Sequence, residues 1–267
     1  MMSEKEYLQH NRDSWNKRLQ SHLESDFYDM KGFLNGANSL RHIELELLGD
    51  IAGKSVLHLQ CHFGQDTLSM SRMGAKTTGV DLSDLAIKKA KELNDTLSLD
   101  AEFICSDIYE LDRHLDSQFD IVFSSYGTIG WLPDLKRWAK ILNRFLKPGG
   151  KFVFVEFHPV VWMFDNDFKA IAYSYFNEEE IIETYTGTYA DQNADFQTTT
   201  ISWNHPLDEV LGNLLQAGLH IVQFKEYPYS PYNCFRGMQK IDNEKFTIKS
   251  LAKQIPMTYS LTAIKNL

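Results

Sequence analysis

Alternating strand-like and helix-like segments, and a tight glycine turn after the first strand, predict an α/β fold with a mostly parallel sheet and helices on both faces. The organising stretch is residues 54–83, which reads as strand, turn, helix, strand. Val56, Leu57 and Leu59 form an apolar run ending at Gln60, Cys61-His62-Phe63-Gly64 make the turn, and Asp66 opens a helix reaching Met73. A second strand over 77–80 delivers Asp81 just before another helix. A right-handed crossover lays the two strands side by side, so the Gly64 turn and Asp81 reach one edge of the sheet. An acid placed there can take both hydroxyls of a ribose.

The remaining elements follow in order. Residues 4–23 are polar and helical, with Tyr7, Leu8, Trp15 and Leu19 as a broken apolar face. They read as a surface helix, the alternative being a lid that contributes Asn11 or Trp15. Residues 26–36 read as a loop, and 39–48 as an amphipathic helix stopped by Gly49. Ser83 caps the helix after the second strand. Strands are expected at 103–105, 119–123, 152–157, 219–227 and 257–264, with helices starting at Pro133-Asp134 and Pro206. Lys147-Pro148-Gly149-Gly150 stops the first of these helices. From 158 to 203 the pattern breaks into an aromatic-rich, acidic stretch in which two β-prone runs, 181–189 and 198–203, are suited to pair. Residues 228–254 give no clear element. The division that results is a helical cap over 1–50, a sheet domain over 51–157 and 204–267, and an insertion over 158–203 belonging to that domain.

Composition narrows the function. With 267 residues and 43% hydrophobic content the chain can bury a large core. Its first residues, Met1-Met2-Ser3-Glu4-Lys5-Glu6, carry charge where a secretory signal needs an apolar core, so a cytoplasmic protein with no membrane partner is expected. Three widely spaced cysteines, Cys61, Cys105 and Cys234, argue against a disulfide framework or zinc knuckle. His58, Cys61 and His62 lack a further ligand at suitable spacing, so no metal is expected. A net charge of −9 without a long basic stripe repels nucleic acid. The expected partner is a small molecule, and the chain is expected to be a monomer or homodimer.

The turn discriminates between ligands. A dinucleotide pyrophosphate needs glycines and a helix start free of negative charge. Here the three glycine positions are Gln60, His62 and Gln65, and Asp66 sits in the first helical turn. A nicotinamide-dependent dehydrogenase is therefore disfavoured. A sulfonium and an ammonium, by contrast, tolerate side chains and acids in the loop.

On these residues the chain resembles the class I S-adenosylmethionine-dependent methyltransferases. Their acid-x-Gly-x-Gly-x-Gly motif aligns with His58-Leu59-Gln60-Cys61-His62-Phe63-Gly64, which keeps only the last glycine and lacks the acid. This altered loop resembles a branch in which His-Leu-Gln-Cys-His-Phe-Gly is itself the signature. In that branch similar features recur as Asn11 with Trp15, Gly79-Val80-Asp81, Tyr126-Gly127, Trp131-Leu132-Pro133-Asp134, Lys147-Pro148-Gly149-Gly150, and Glu156 with His158-Pro159. The resemblance implies a Rossmann-like sheet of seven strands with the last antiparallel, S-adenosylmethionine as cofactor and S-adenosylhomocysteine as product.

Carried over by position, the resemblance implies that Asp81 binds the ribose, with Leu82 on the adenine, and that Asp107 and Ile108 meet the adenine amino group and face. Gln60, His62 and the Gly64 backbone line the methionine moiety, and Ser124 and Tyr126 lie under the sulfonium. Capping of the following helix is the plainer role for Asp81, and closing a turn the plainer one for Asp107.

Methyl transfer needs a nucleophile held in line with the methyl group and water excluded, with a base only when the acceptor loses a proton. Tyr126 and Trp131 suit a cationic sulfonium. His158 is the candidate base, preferred to His205, although Pro159 also makes His158 a turn residue. Tyr189 and Trp203 belong to an aromatic set expected to form an acceptor pocket, a satellite core or dimer surface being the alternative. The chain carries Ser124-Ser125-Tyr126-Gly127 where base-amine methyltransferases have Asp or Asn, then Pro-Pro-aromatic, which sets nucleobase amines aside. Two function classes remain: a methyltransferase of a small molecule, by O- or N-methylation, and a non-catalytic or regulatory protein that binds the cofactor.

Overall fold

The structure is a computed structural model and describes residues 4–267. Three helices come first, α1 (Glu4–Glu24), α2 (Met30–Leu34) and α3 (His42–Leu48). The segment expected to be loop thus contains a short helix, because the Asp29 side chain accepts from the Gly32 N–H and caps it. Then come β1 (Ser55–Leu59), α4 (Gln65–Arg72), β2 (Lys76–Asp81), α5 (Asp84–Thr96), β3 (Glu102–Cys105) and β4 (Phe119–Ser125). They are followed by α6 (Leu135–Phe145), β5 (Leu146–Phe157), β6 (Ile181–Thr186), β7 (Gln197–Ser202), α7 (Leu207–Gln216), β8 (Leu219–Tyr227), β9 (Met238–Asp242), β10 (Lys245–Ile248) and β11 (Thr258–Lys265).

Seven strands make one sheet in the order β3-β2-β1-β4-β5-β11-β8, with β11 antiparallel to both of its neighbours and the other pairs parallel. The inner strands are apolar on both sides because helices cover both faces. Trp138 and Leu142 of α6 and Leu214 of α7 pack on one face with Leu57, Val122 and Phe154. Ile43 and Leu47 of α3 and Met70 of α4 pack on the other with Val56, Phe123 and Val153. Strand order reverses between β1 and β4, which opens a crevice beyond their C-terminal ends.

Three local expectations are corrected. The helix does end at Phe145, before Lys147-Pro148-Gly149-Gly150, but the strand expected from 152 already begins at Leu146, and the tetrapeptide is a bulge within β5 where the register against β4 slips between Phe119 and Ile121. Residues 228–254 contain the antiparallel hairpin β9–β10, which stands apart from the main sheet, with Phe246 bridging back to Ser230; within its strands only Thr247 and Ile248 are buried, too short a stretch to show as an alternating face in the sequence. The first helix is no plain surface helix: it buries Tyr7, Asn11, Ser14, Arg18, Leu19 and His22, a face of mostly polar residues. The two β-prone runs do pair, as antiparallel β6–β7.

Candidate active site

The loop from β1 to α4 is held in a strained form. Gln60, His62 and Gly64 adopt φ of 56°, 51° and 81°, a region in which only glycine is free of penalty. A Cβ on Gly64 would lie 2.7 Å from Phe103 Cε1, and one on Gly79 2.8 Å from the same atom and 2.9 Å from Cys61 Sγ. Phe103 therefore presses the loop onto β2, and the loop's N–H groups turn toward the strand ends.

Asp81 receives one of them, and one from the start of the next helix. Its Oδ2 accepts from the His62 N–H at 2.7 Å and its Oδ1 from the Ser83 N–H at 2.8 Å. Ser83 itself caps α5 through the Ala86 N–H, so the cap does not need Asp81. Burial pushes the Asp81 carboxyl up to about 6. Each of its oxygens retains a lone pair for a further donor. Nearby, Gln60 donates to Thr128 O at 2.8 Å while its Oε1 is buried without a partner. Asp107 accepts from the Tyr109 N–H through Oδ1, and its Oδ2 is likewise an orphan.

Beyond β4 and β5, one carboxylate organises the turn. Buried Glu156 accepts N–H bonds from Gly127, Thr128, Ile129 and Phe157, which fixes the turn after β4. Tyr126 sits at φ 48° and donates through its hydroxyl to Glu44 Oε2 at 2.8 Å. Glu44, on α3, is wholly buried, and burial raises its carboxyl to about 7. The Tyr126 hydroxyl is pushed well above the ordinary tyrosine value, by burial first and then by the Glu44 charge.

The roof comes from α1 and the segment between β5 and α7. Asn11 forms a reciprocal pair with Ile201 of β7, at 2.9 and 3.1 Å. Trp15 packs edge-on against Trp131 and His62, each at 5.2 Å between centroids. Nδ1 of His22 meets Nε2 of His62 at 2.9 Å, and burial lowers the two rings to about 2 and about 3, so both are neutral and one donates to the other. The hydroxyls of Tyr28 and Tyr189 share a hydrogen bond. The Trp203 ring packs on Tyr7 at 5.2 Å, and the Trp203 backbone N–H donates to Gly130 O.

These walls enclose a cavity of about 640 Å³. Of the residues singled out in the sequence, Gln60, His62, Gly64, Asp81, Leu82, Asp107, Ile108, Tyr126, Trp131, Tyr189 and Trp203 line it. Two are not brought to it. Ser124 is buried beneath, its hydroxyl donating to Thr128 Oγ1, and His158 faces away, with Nε2 on Glu226 of β8 at 2.8 Å and Nδ1 accepting from the Val160 N–H. His205 does line the cavity, but both its ring nitrogens are engaged, by Glu209 and by Leu132 O. The sequence reading missed Glu44, Arg18, His22 and Tyr28, while Tyr185, one of the insertion's aromatic residues, lines the cavity. Positions 11, 15, 18 and 22 recur at helical spacing and carry polar or aromatic side chains, a stripe that marks a helix facing a polar cavity.

The donor set tests the cofactor. At the ends of β1, β2 and β3 the wall offers Asp81, the free Gln60 Oε1 and the free Asp107 Oδ2, with no lysine or arginine among 58–66, 81–82 and 106–108. Acceptors without cations suit a ribose, an amino group and a cationic sulfur, and oppose a pyrophosphate. S-adenosylmethionine fits these residues.

Comparison with known proteins agrees. A family model described as a methyltransferase domain matches residues 57–154. The chain is 30% identical over 138 residues to the ubiquinone biosynthesis O-methyltransferase of Coxiella burnetii, covering 50% of this chain and 58% of that protein. It is 30% identical over 164 residues to an uncharacterized methyltransferase of Synechocystis, covering 60% of this chain and 74% of that one. Among solved structures, the S-adenosylmethionine dependent methyltransferase from Mesorhizobium loti superposes with a TM-score of 0.57 at 18% identity, covering 87% of this chain and 100% of that one. The chain belongs to the class I S-adenosylmethionine-dependent methyltransferases.

Proposed function

We propose that the protein methylates a hydroxyl group of a small organic molecule, leaving S-adenosylhomocysteine as the second product. The observation that carries the choice of oxygen is the hydrogen bond from Tyr126 to the buried Glu44. A hydroxyl acceptor must lose a proton as it attacks, and this pair offers a route for it. The relative from Coxiella, named as an O-methyltransferase, supports the same atom.

S-adenosylmethionine supplies an electrophilic methyl group when bound. Asp81 holds the ribose hydroxyls, Asp107 takes the adenine amino group, Leu82 and Ile108 cover the ring, and Gln60 with the 60–64 backbone steadies the amino-acid end. Trp15, Trp131 and the α1 roof exclude water. Tyr126 takes the acceptor's proton on its phenolic oxygen as it passes its own to Glu44 Oε2. Because the Tyr126 hydroxyl titrates far above neutrality, it relays the proton and does not act as the base by itself.

The test is incubation with S-adenosylmethionine and a panel of hydroxylated aromatic and aliphatic compounds, followed by mass spectrometry for one added methyl. Methylated products from hydroxyl compounds support the reading, and exclusive methylation of amines removes the proton relay. Tight cofactor binding with no product from the panel or from a metabolite extract would move the protein to the binding or regulatory class, for which the single glycine of the 58–64 loop is the supporting observation.

A further inference from the structure

Arg18 is the residue the mechanism above leaves unused. It is 1% exposed, yet it lines the cavity. Its guanidinium lies 5.0 Å from the Trp15 ring, 5.6 Å from Trp131 and 5.3 Å from Tyr185 of β6, and one Nη donates to the Tyr185 hydroxyl. Its Nε–H is buried without an acceptor, and no carboxylate lies within ion-pair distance of it among the described residues. The two other arginines on the wall are paired, Arg41 with Glu244 at 2.8 Å and Arg236 with Asp167 at 3.5 Å.

A buried cation is costly unless an anion or several acceptors meet it. Three aromatic faces supply attraction but no lone pairs directed at the N–H groups, and a guanidinium has five such groups in a planar fork. The arrangement is that of a receptor whose anion is the ligand. A single arginine without a carboxylate partner, on a wall that also carries Glu183, suits a monoanion, and the planar fork suits a carboxylate.

Resting on the methyltransferase reading, we propose that the acceptor is an organic acid whose carboxylate docks on Arg18, between Trp15, Trp131 and Tyr185. Sheet order sets this anion site apart from the nucleoside end of the cofactor. The ribose and adenine positions, Asp81 and Asp107, follow β2 and β3 on one side of β1, whereas Trp131 follows β4, and Tyr185 follows β5, on the other.

The experiment needs no turnover, so it fails or succeeds separately from the transferase reading. Benzoate is titrated into the S-adenosylhomocysteine complex and followed by tryptophan fluorescence, since Trp15 and Trp131 flank the guanidinium. Saturable binding is expected for benzoate, with benzamide, the uncharged analogue, at least about tenfold weaker, and with the benzoate site weakened by a similar factor in Arg18→Met and partly restored in Arg18→Lys. The benzoate and benzamide comparison uses the unaltered protein and stands even where Arg18→Met does not fold. Equal binding of the two probes, or full benzoate affinity in a folded Arg18→Met, overturns the proposal. A further arm measures S-adenosylhomocysteine against its decarboxylated analogue by calorimetry. If Arg18→Met weakens only the carboxylated form, the anion is the cofactor's own and the assignment to the acceptor is overturned.

Discussion

Tyr126 donates its phenolic hydrogen to Glu44 Oε2 at 2.8 Å, joining the turn after β4 to a helix that lies 82 residues earlier in the chain. The other Glu44 oxygen is buried without a partner, so the tyrosine is the side-chain donor that steadies this carboxylate. Turnover of a hydroxyl acceptor is expected to rise with pH through about 7, where Glu44 ionises. Tyr126→Phe is expected to lower kcat by about 100-fold. A kcat profile that stays flat between about pH 6 and 8 in the unaltered protein would remove the relay.

The same carboxyl makes a stability prediction. Its folded value, about 7, lies above the ordinary 4.5, so the folded state holds a proton that the unfolded chain gives up. That contribution is whole below the unfolded value and is lost as pH rises through the folded one. Glu44→Gln does not titrate and is expected to exceed the native protein in stability by up to about 3 kcal/mol near pH 8, with the difference fading toward pH 5. Urea unfolding at the two pH values measures it.

Cofactor affinity is expected to follow Asp81. With its carboxyl at about 6, the group is ionised and able to accept two hydroxyl donors above that value, and loses acceptor capacity below it. Calorimetry with S-adenosylhomocysteine should show binding weakening as pH falls through about 6, while Asp81→Asn weakens it by about 10- to 100-fold and flattens the pH response.

Two glycines press on the same ring for different reasons. Gly79→Ala meets Phe103 and Cys61 with an ordinary backbone, and is expected to cost about 1–3 kcal/mol, a good part of it recovered by Phe103→Leu. Gly64→Ala adds a φ of +81°, so about 1–2 kcal/mol of its cost should survive the same second change. Thermal unfolding of the two double variants separates packing from backbone strain.

His158→Asn is expected to leave turnover unchanged and to cost about 1 kcal/mol of stability, since its ring bonds Glu226 and the Val160 N–H and does not reach the cavity. A collapse of kcat in a folded variant would restore it as a base.

The sheet was legible because each of its strands carries a local signal. Val56 to Leu59 and Phe119 to Phe123 are apolar runs bounded by turn residues, and Ser83, Asp134 and Gly218 punctuate the helices between them. The acceptors at the strand ends were legible for the same reason, since they sit at fixed offsets from those runs. The roof was not. Asn11, Arg18 and His22 are polar, so a search for an apolar face passes over them, and their partners lie far along the chain, Ile201 for Asn11, Tyr185 for Arg18 and His62 for His22. Glu44 was hidden differently: its neighbours on α3 are the apolar residues that pack the sheet, and only the fold shows that the Tyr126 hydroxyl reaches it.

The clasp between Asn11 and Ile201 ties two remote stretches of sequence over one chamber. A protein made without residues 4–24 would lose the part of its ceiling that α1 supplies, Leu8, Asn11, Trp15 and Arg18, and open the chamber to water. Access and closure therefore belong to the helix as much as to the strands, and variation in its inward stripe is a direct way for relatives on this scaffold to admit different molecules.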